Sequence, residues 1–257
     1  MMQHSNQTLY RPEFEHDSCG VGFIARTTGQ ADYEILAKGL EAVGCMKHRA
    51  GVDADGRSGD GAGITTQIPH AILAQEFADL PAAGDYALGT FFLPNQKTET
   101  IKLVEDTVTG VLAETAGADP ATDSYWRDIP LDHAALGYTA ARTCPNIRHL
   151  IIHRPASIAQ GRDFERFLFT LRNQLDTAAS EAGYDGESFH VASLSSRTVV
   201  YKGLMLSPNL ADFYLDLANP DFATAFAVFH TRYSTNTTSA WSRAQPFRQI
   251  AHNGEIN

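Results

Sequence analysis

FHVASLSSRTVVYKGLML, residues 189–206, decides the fold class. Apolar and β-branched residues run on both sides of Ser195–Ser196, so the stretch reads as two strands joined in a hairpin. Just before it, residues 163–182 carry Phe164, Phe167, Leu168, Leu171, Leu175 and Ala178 along one helical stripe. Just after it, ATAFAVFHTRYS (223–234) reads as a buried strand leaving the core. Strands therefore adjoin strands as well as helices. That breaks the strict alternation of a doubly wound fold and favours a layered sheet assembly with helices outside.

Working outward, GVGFIA (20–25) reads as a short buried strand. Residues 32–47 place Ile35, Leu36, Leu40, Val43 and Met46 at helical spacing. AGVDADGRSGDGAG (50–63) is so rich in Gly and Asp that it reads as loop. GITTQI (63–68), YALGTFFL (86–93) and HLIIH (149–153) are strand-like. Residues 98–116 set Ile101, Val104, Val108 and Leu112 on one helical face, stopped by Gly117.

At 257 residues, with 43% apolar and 19% charged residues, the chain has the composition of one large globular domain. A net charge of −10 and the lack of any basic run argue against a nucleic-acid surface. No apolar stretch is long enough to span a membrane, and residues 1–18 lack the apolar core of a secretory signal. Three cysteines are too few for a disulfide scaffold, which points to a reducing, cytoplasmic setting. The final HNGEIN is an unusual place for a domain to stop, so the chain reads as a fragment.

Four segments carry chemistry. HDSCGVGFIA (16–25) puts Cys19 at a strand start beside Gly20, which lets a substrate backbone come close; alternatively the thiol is a small buried hydrophobe. KHRAGVDADGRSGDGAGI (47–64) sets Arg49 ahead of a glycine loop. It fails as a calcium loop, with Ser58 sixth and Ile64 twelfth, and it lacks the Gly-Lys-Ser/Thr ending of a phosphate loop. No histidines stand at zinc-ligand spacing. In FHTRYSTNTTSAW (229–241), Arg232 follows a strand and offers a fork of donors suited to a carboxylate, or else to a surface ion pair. In AQPFRQIAHNGEIN (244–257), Asn253 and the Gly254 N–H can aim at one point, as an oxyanion requires, or they form an ordinary Asn-Gly turn.

Taken in order, these segments resemble the class II glutamine amidotransferases, from Cys19 to Asn257. Within them the long GVDADGRSGDGAGI loop and AQPFR…AHNGEIN are most similar to the glutamate synthases. The resemblance implies an α+β fold, the αββα sandwich of the Ntn hydrolases, with two mainly antiparallel sheets flanked by helices and incomplete at the C-terminus. It implies a leader at 1–18 removed as a propeptide, and a domain from 19 to 257. It makes Cys19 the nucleophile, Asn253 and Gly254 the oxyanion donors, Arg232 the holder of the substrate α-carboxylate and Arg49 a residue that positions the cysteine. His230 and Thr231 would shape the Arg232 loop. The substrate would be glutamine, and the ammonia would aminate 2-oxoglutarate on a downstream domain. FMN and an iron–sulfur cluster would sit on such downstream domains and not here. Electrons would come from a small subunit or from ferredoxin. An acidic residue that holds the substrate amino group in relatives lies beyond HNGEIN. Two other readings stay open: another class II amidotransferase, or a catalytically silent fragment or binding module.

Overall fold

The computed structural model describes residues 19–94, 98–116, 124–234 and 237–247. Two four-stranded antiparallel sheets organise it. The first holds β1 (Gly20–Ala25), β2 (Ser58–Gln67), β7 (Thr198–Met205) and β8 (Phe226–Thr231), in the order β1-β8-β2-β7. The second holds β3 (Tyr86–Leu93), β4 (Ser124–Asp128), β5 (Asn146–His153) and β6 (His190–Ser195), in the order β4-β5-β3-β6. Helix α1 (Tyr33–Cys45) packs on β8 and β1. The short α2 (His70–Glu76) follows β2. Helix α3 (Thr98–Ala116) packs beside α5 (Arg162–Glu181), which lies on β6; α4 (Tyr138–Thr143) and α6 (Leu210–Phe213) are short connectors. The layered α+β arrangement with helices outside is the one expected.

Strand β3 shows how the layers are glued. All eight of its residues are buried, because both of its faces are covered. Tyr86, Leu88 and Phe92 join the cluster that runs through α1 and the first sheet. Ala87, Phe91 and Leu93 join the cluster under α3 and α5, with Val104, Val108, Leu112, Phe164, Leu168 and Leu171. Most residues of the helical stripes read from sequence are buried, but Leu40, Ile101 and Met46 (just past the end of α1) are only partly so, and Ala179 takes the place of Ala178 at the end of α5. Asp32 starts α1 by accepting the Ile35 amide at 3.2 Å.

Three local readings change. Residues 189–206 are two strands but not a hairpin: β6 pairs with β3 in one sheet, β7 with β2 in the other. Glu165 of α5 makes the corner, its Oε1 accepting from the Ser195 hydroxyl at 2.9 Å, the Ser196 amide at 2.7 Å and the Ser196 hydroxyl at 2.8 Å. Those bonds take the turn's polar groups out of any ladder and let the chain step from sheet to sheet. Strand β1 is not a buried strand. Among the described residues it is an edge strand paired only with β8, and it leaves Val21 69% and Phe23 76% exposed. Its other face is carried by glycines because β8 presses close: a Cβ on Gly22 would meet the Phe229 ring at 2.6 Å. Finally, the Gly/Asp segment is loop only as far as Arg57. From Ser58 it is already β2, with an irregularity between Ser58 and Ala62 where Gly61 takes φ +124. The end of α3 at Gly117 and the leader 1–18 lie outside the described residues.

Candidate active site

The loop before β2 is stiffened by its own aspartates. The Asp55 carboxylate accepts from the amides of Arg57, Ser58 and Thr139, at 2.9, 2.7 and 3.0 Å, and from the Ser58 hydroxyl at 2.6 Å. These donors hold its pKa far below the usual carboxylate range. An isolated bridge between Val52 and Gly59 folds the loop back on itself. The loop then meets the end of β8: Arg232 N donates to Gly61 O at 2.8 Å, and Gly51 N donates to Arg232 O at 3.2 Å.

Cys19 stands directly before β1, whose Gly20 is in register with Thr231 of β8. The thiol is half-buried, and the Tyr233 amide lies 3.5 Å from Sγ. Strand pairing thus brings the thiol to the same loop that carries Arg232, across more than two hundred residues of chain. Cys45 is exposed, and Cys144 is buried with its thiol pushed up to about 12; none of the three is in a disulfide. At neutral pH Cys144 is locked in the unreactive thiol form.

Arg232 is fully buried. Its Nη1 donates to the Asp60 carbonyl at 3.4 Å and its Nη2 to the Ser234 hydroxyl at 3.2 Å and to Thr237 Oγ1, while Nε has no acceptor among the described residues. Burial draws its pKa down, with Asp60 and Cys19 acting in the other direction. Among the described residues, every acceptor it has is neutral. A guanidinium under cover without a paired carboxylate is costly, and a carboxylate ligand would form stronger bonds than the hydroxyls it replaced. His230 is buried, with Nδ1 unpartnered among the described residues; burial and the Arg232 charge push its pKa down to about 4, so it is neutral near pH 7. Thr231 is buried as well.

Arg49 ends a short 3-10 turn, Lys47–Arg49, that leaves α1. The turn is close to the site, since Met46 just before it lies against Gly20 and Gly51 just after it bonds to Arg232. Asn253 and Gly254 lie outside the described residues. The segment leading to them is tethered: Lys202 Nζ, fully buried on β7, donates to Ser242 O at 2.8 Å and sits 4.4 Å from the centre of the Phe247 ring. Sequence reasoning passed over Asp60, Tyr233 and Lys202. Asp60 carried a signal, an aspartate inside a glycine run that can capture free N–H groups; Tyr233 meets the thiol through its backbone amide and carried none.

Among the described residues, no cluster of His, Cys, Asp or Glu could hold a metal ion, and no helix is long and apolar enough to cross a membrane.

Comparison with known proteins agrees with this layout. The family model for class-II glutamine amidotransferases matches residues 19–257. The chain is 38% identical over 253 residues to the glutamate synthase [NADPH] large chain of Bacillus subtilis, covering 98% of this chain and 16% of that protein. It is 38% identical over 247 residues to ferredoxin-dependent glutamate synthase 2 of Synechocystis, covering 95% and 15%. To glutamate synthase [NADH] of Saccharomyces cerevisiae it is 36% identical over 258 residues, covering 97% and 12%. The chain thus spans between 12% and 16% of the length of these relatives. With the family model matched over nearly its whole length, and a half-buried thiol beside the loop of a buried arginine, the chain belongs to the class-II glutamine amidotransferases.

Proposed function

We propose that this chain is the glutamine-hydrolysing unit of a glutamate synthase, with Cys19 as nucleophile. The observation that carries the reading is a half-buried thiol set beside a buried arginine that has only neutral acceptors among the described residues. Arg232 holds the α-carboxylate of glutamine and so sets the side-chain amide against Cys19. The family match begins at Cys19, which supports removal of residues 1–18 as a propeptide. The freed α-amino group, with an ordinary pKa near 8, takes the thiol proton. Sulfur attacks the amide carbon, and the oxyanion is held by the Asn253 side chain and the Gly254 N–H. The tetrahedral adduct collapses as the nitrogen is protonated and leaves as ammonia. Water then cleaves the γ-glutamyl thioester, giving glutamate and the free thiol. Arg49 steadies the start of β1, and His230 and Thr231 shape the Arg232 loop.

The names of the relatives support a part in glutamate synthesis with electrons from NADPH or ferredoxin; amination of 2-oxoglutarate, with FMN and an iron–sulfur cluster on downstream domains, belongs to the same proposal through the family resemblance. A cytoplasmic location belongs to the same reading. The test is ammonia release from glutamine together with the mature amino terminus. Activity should vanish in Cys19→Ala, and active protein should begin at Cys19. Full activity with residues 1–18 retained would refute the mechanism.

A further inference from the structure

We propose that Asp60 is the positioning residue of this site: it keeps the Arg232 fork open for a substrate carboxylate by being close to it and unable to pair with it. The inference rests on Arg232 as the carboxylate holder. Among the described residues, Asp60 supplies the one carboxylate whose charge reaches Arg232, and Coulomb attraction would draw the two into an ion pair. They do not form one in this structure: each carboxylate oxygen is turned toward a donor of the neighbouring loop instead. Oδ2 accepts the Ser234 amide at 2.6 Å, and Oδ1 accepts the Ser239 hydroxyl. Arg232 reaches only the Asp60 carbonyl, at 3.4 Å. The negative charge thus offsets the cost of a buried guanidinium without filling its donors, which rest on exchangeable hydroxyls.

The same residue stitches the two loops of the site. Asp60 N donates to Gly51 O at 3.1 Å, Gly51 N to Arg232 O at 3.2 Å and Arg232 N to Gly61 O at 2.8 Å. Ser234, anchored by Oδ2, follows Tyr233, whose amide faces Cys19 Sγ. One carboxylate therefore sets the spacing between the arginine that grips the substrate and the thiol that attacks it. Gly51 belongs to the device, since a Cβ there would meet Asp60 Oδ2 at 2.0 Å.

Glutamine kinetics on the full-length protein, with Cys19→Ala as control, test the assignment. Asp60→Asn keeps one acceptor and loses the charge, and it should raise KM for glutamine about tenfold with kcat within about twofold. Ser239→Ala frees one oxygen to turn onto Arg232 and should raise KM about fivefold; it keeps the test alive if the Asp60 variant does not fold. A glutamine analogue whose α-carboxylate is replaced by a carboxamide should show neither penalty, because its binding does not use the fork. Unchanged KM in both variants, equal penalties on the analogue, or a loss confined to kcat and thermal stability would each overturn the role. Equal ammonia release by wild type and Cys19→Ala would instead bring down the glutaminase reading beneath it, and that result appears before Asp60 is touched.

Discussion

Asp216→Asn should be among the most destabilising conservative substitutions in this chain. Arg127 on β4 and Asp216, in the turn after α6, are 2% and 3% exposed and form a bidentate pair with contacts of 2.7 and 2.9 Å. Glu76 at the end of α2 takes the remaining edge of the guanidinium, Nε donating to its Oε2 at 2.6 Å. Tyr201 of β7 adds a hydroxyl to Asp216 at 3.1 Å, and His149 of β5 brings Nδ1 within 3.3 Å of Arg127. The network thus ties both sheets to the connectors beside them. Burial opposes the Arg127 charge, but the bonds to Glu76 and Asp216 more than offset it and hold its pKa above the ordinary value. Replacing the carboxylate with an amide points an N–H at a guanidinium N–H and leaves a buried cation with one half-exposed partner. Breaking a buried pair from one side costs about 3–5 kcal/mol, and the surviving Glu76 contact places this case near 3 kcal/mol. For a chain of this size that lowers Tm by roughly 6–12 °C. Thermal and urea unfolding would measure it. The double variant Arg127→Met/Asp216→Leu should lose less than the sum of its singles, since the charge left over, Glu76, is exposed to water. A loss under about 1 kcal/mol for Asp216→Asn, or strict additivity in the double, would refute the reasoning.

Other expectations follow from the same geometry. Burial, with Arg127 adding to it, pushes His149 down to about 3, and burial with Arg232 pushes His230 down to about 4. Both stay neutral in the folded chain while the unfolded chain takes up protons below about pH 6.5, so their contribution is complete above that pH and is lost as pH falls toward 3. Unfolding free energy should therefore drop by roughly 3 kcal/mol at pH 4 through His149 alone, and His149→Gln should flatten that pH dependence in urea titrations. Brief iodoacetamide labelling of the folded chain at pH 8 should modify Cys19 and the exposed Cys45 and spare Cys144, read by peptide mass; early labelling of Cys144 would contradict its burial. In the proposed role, Arg232→Ala should raise KM for glutamine by about 30- to 150-fold, because a contact to the α-carboxylate would be made in ground and transition states alike. Asn253→Ala should instead lower kcat by about 100- to 1000-fold with KM little moved.

The sequence alone determined whatever depends on neighbours along the chain. Period and composition located α1, α3 and α5 and the strands at 86–93 and 149–153, because a helix or strand face is written in residues a few positions apart. Motif order placed Cys19, Arg49 and Arg232 as candidates, and the structure brings Cys19 to the Arg232 loop and the turn ending in Arg49 close by; Asn253 and Gly254 fall outside the described residues. What the tertiary structure decided are the relations between distant segments. Residues 189–206 have the pattern of a hairpin, yet a glutamate thirty residues upstream captures the turn and sends its two strands to different sheets. Val21 and Phe23 are apolar, yet β1 is an edge strand and leaves them in solvent. GRSGDGAG has loop composition, yet β7 and β8 draw its second half into a ladder. Asp60 illustrates the limit most sharply. Its partners Ser234 and Ser239 lie 174 and 179 residues away, so no local pattern could mark it as the carboxylate that stands beside Arg232 without closing on it.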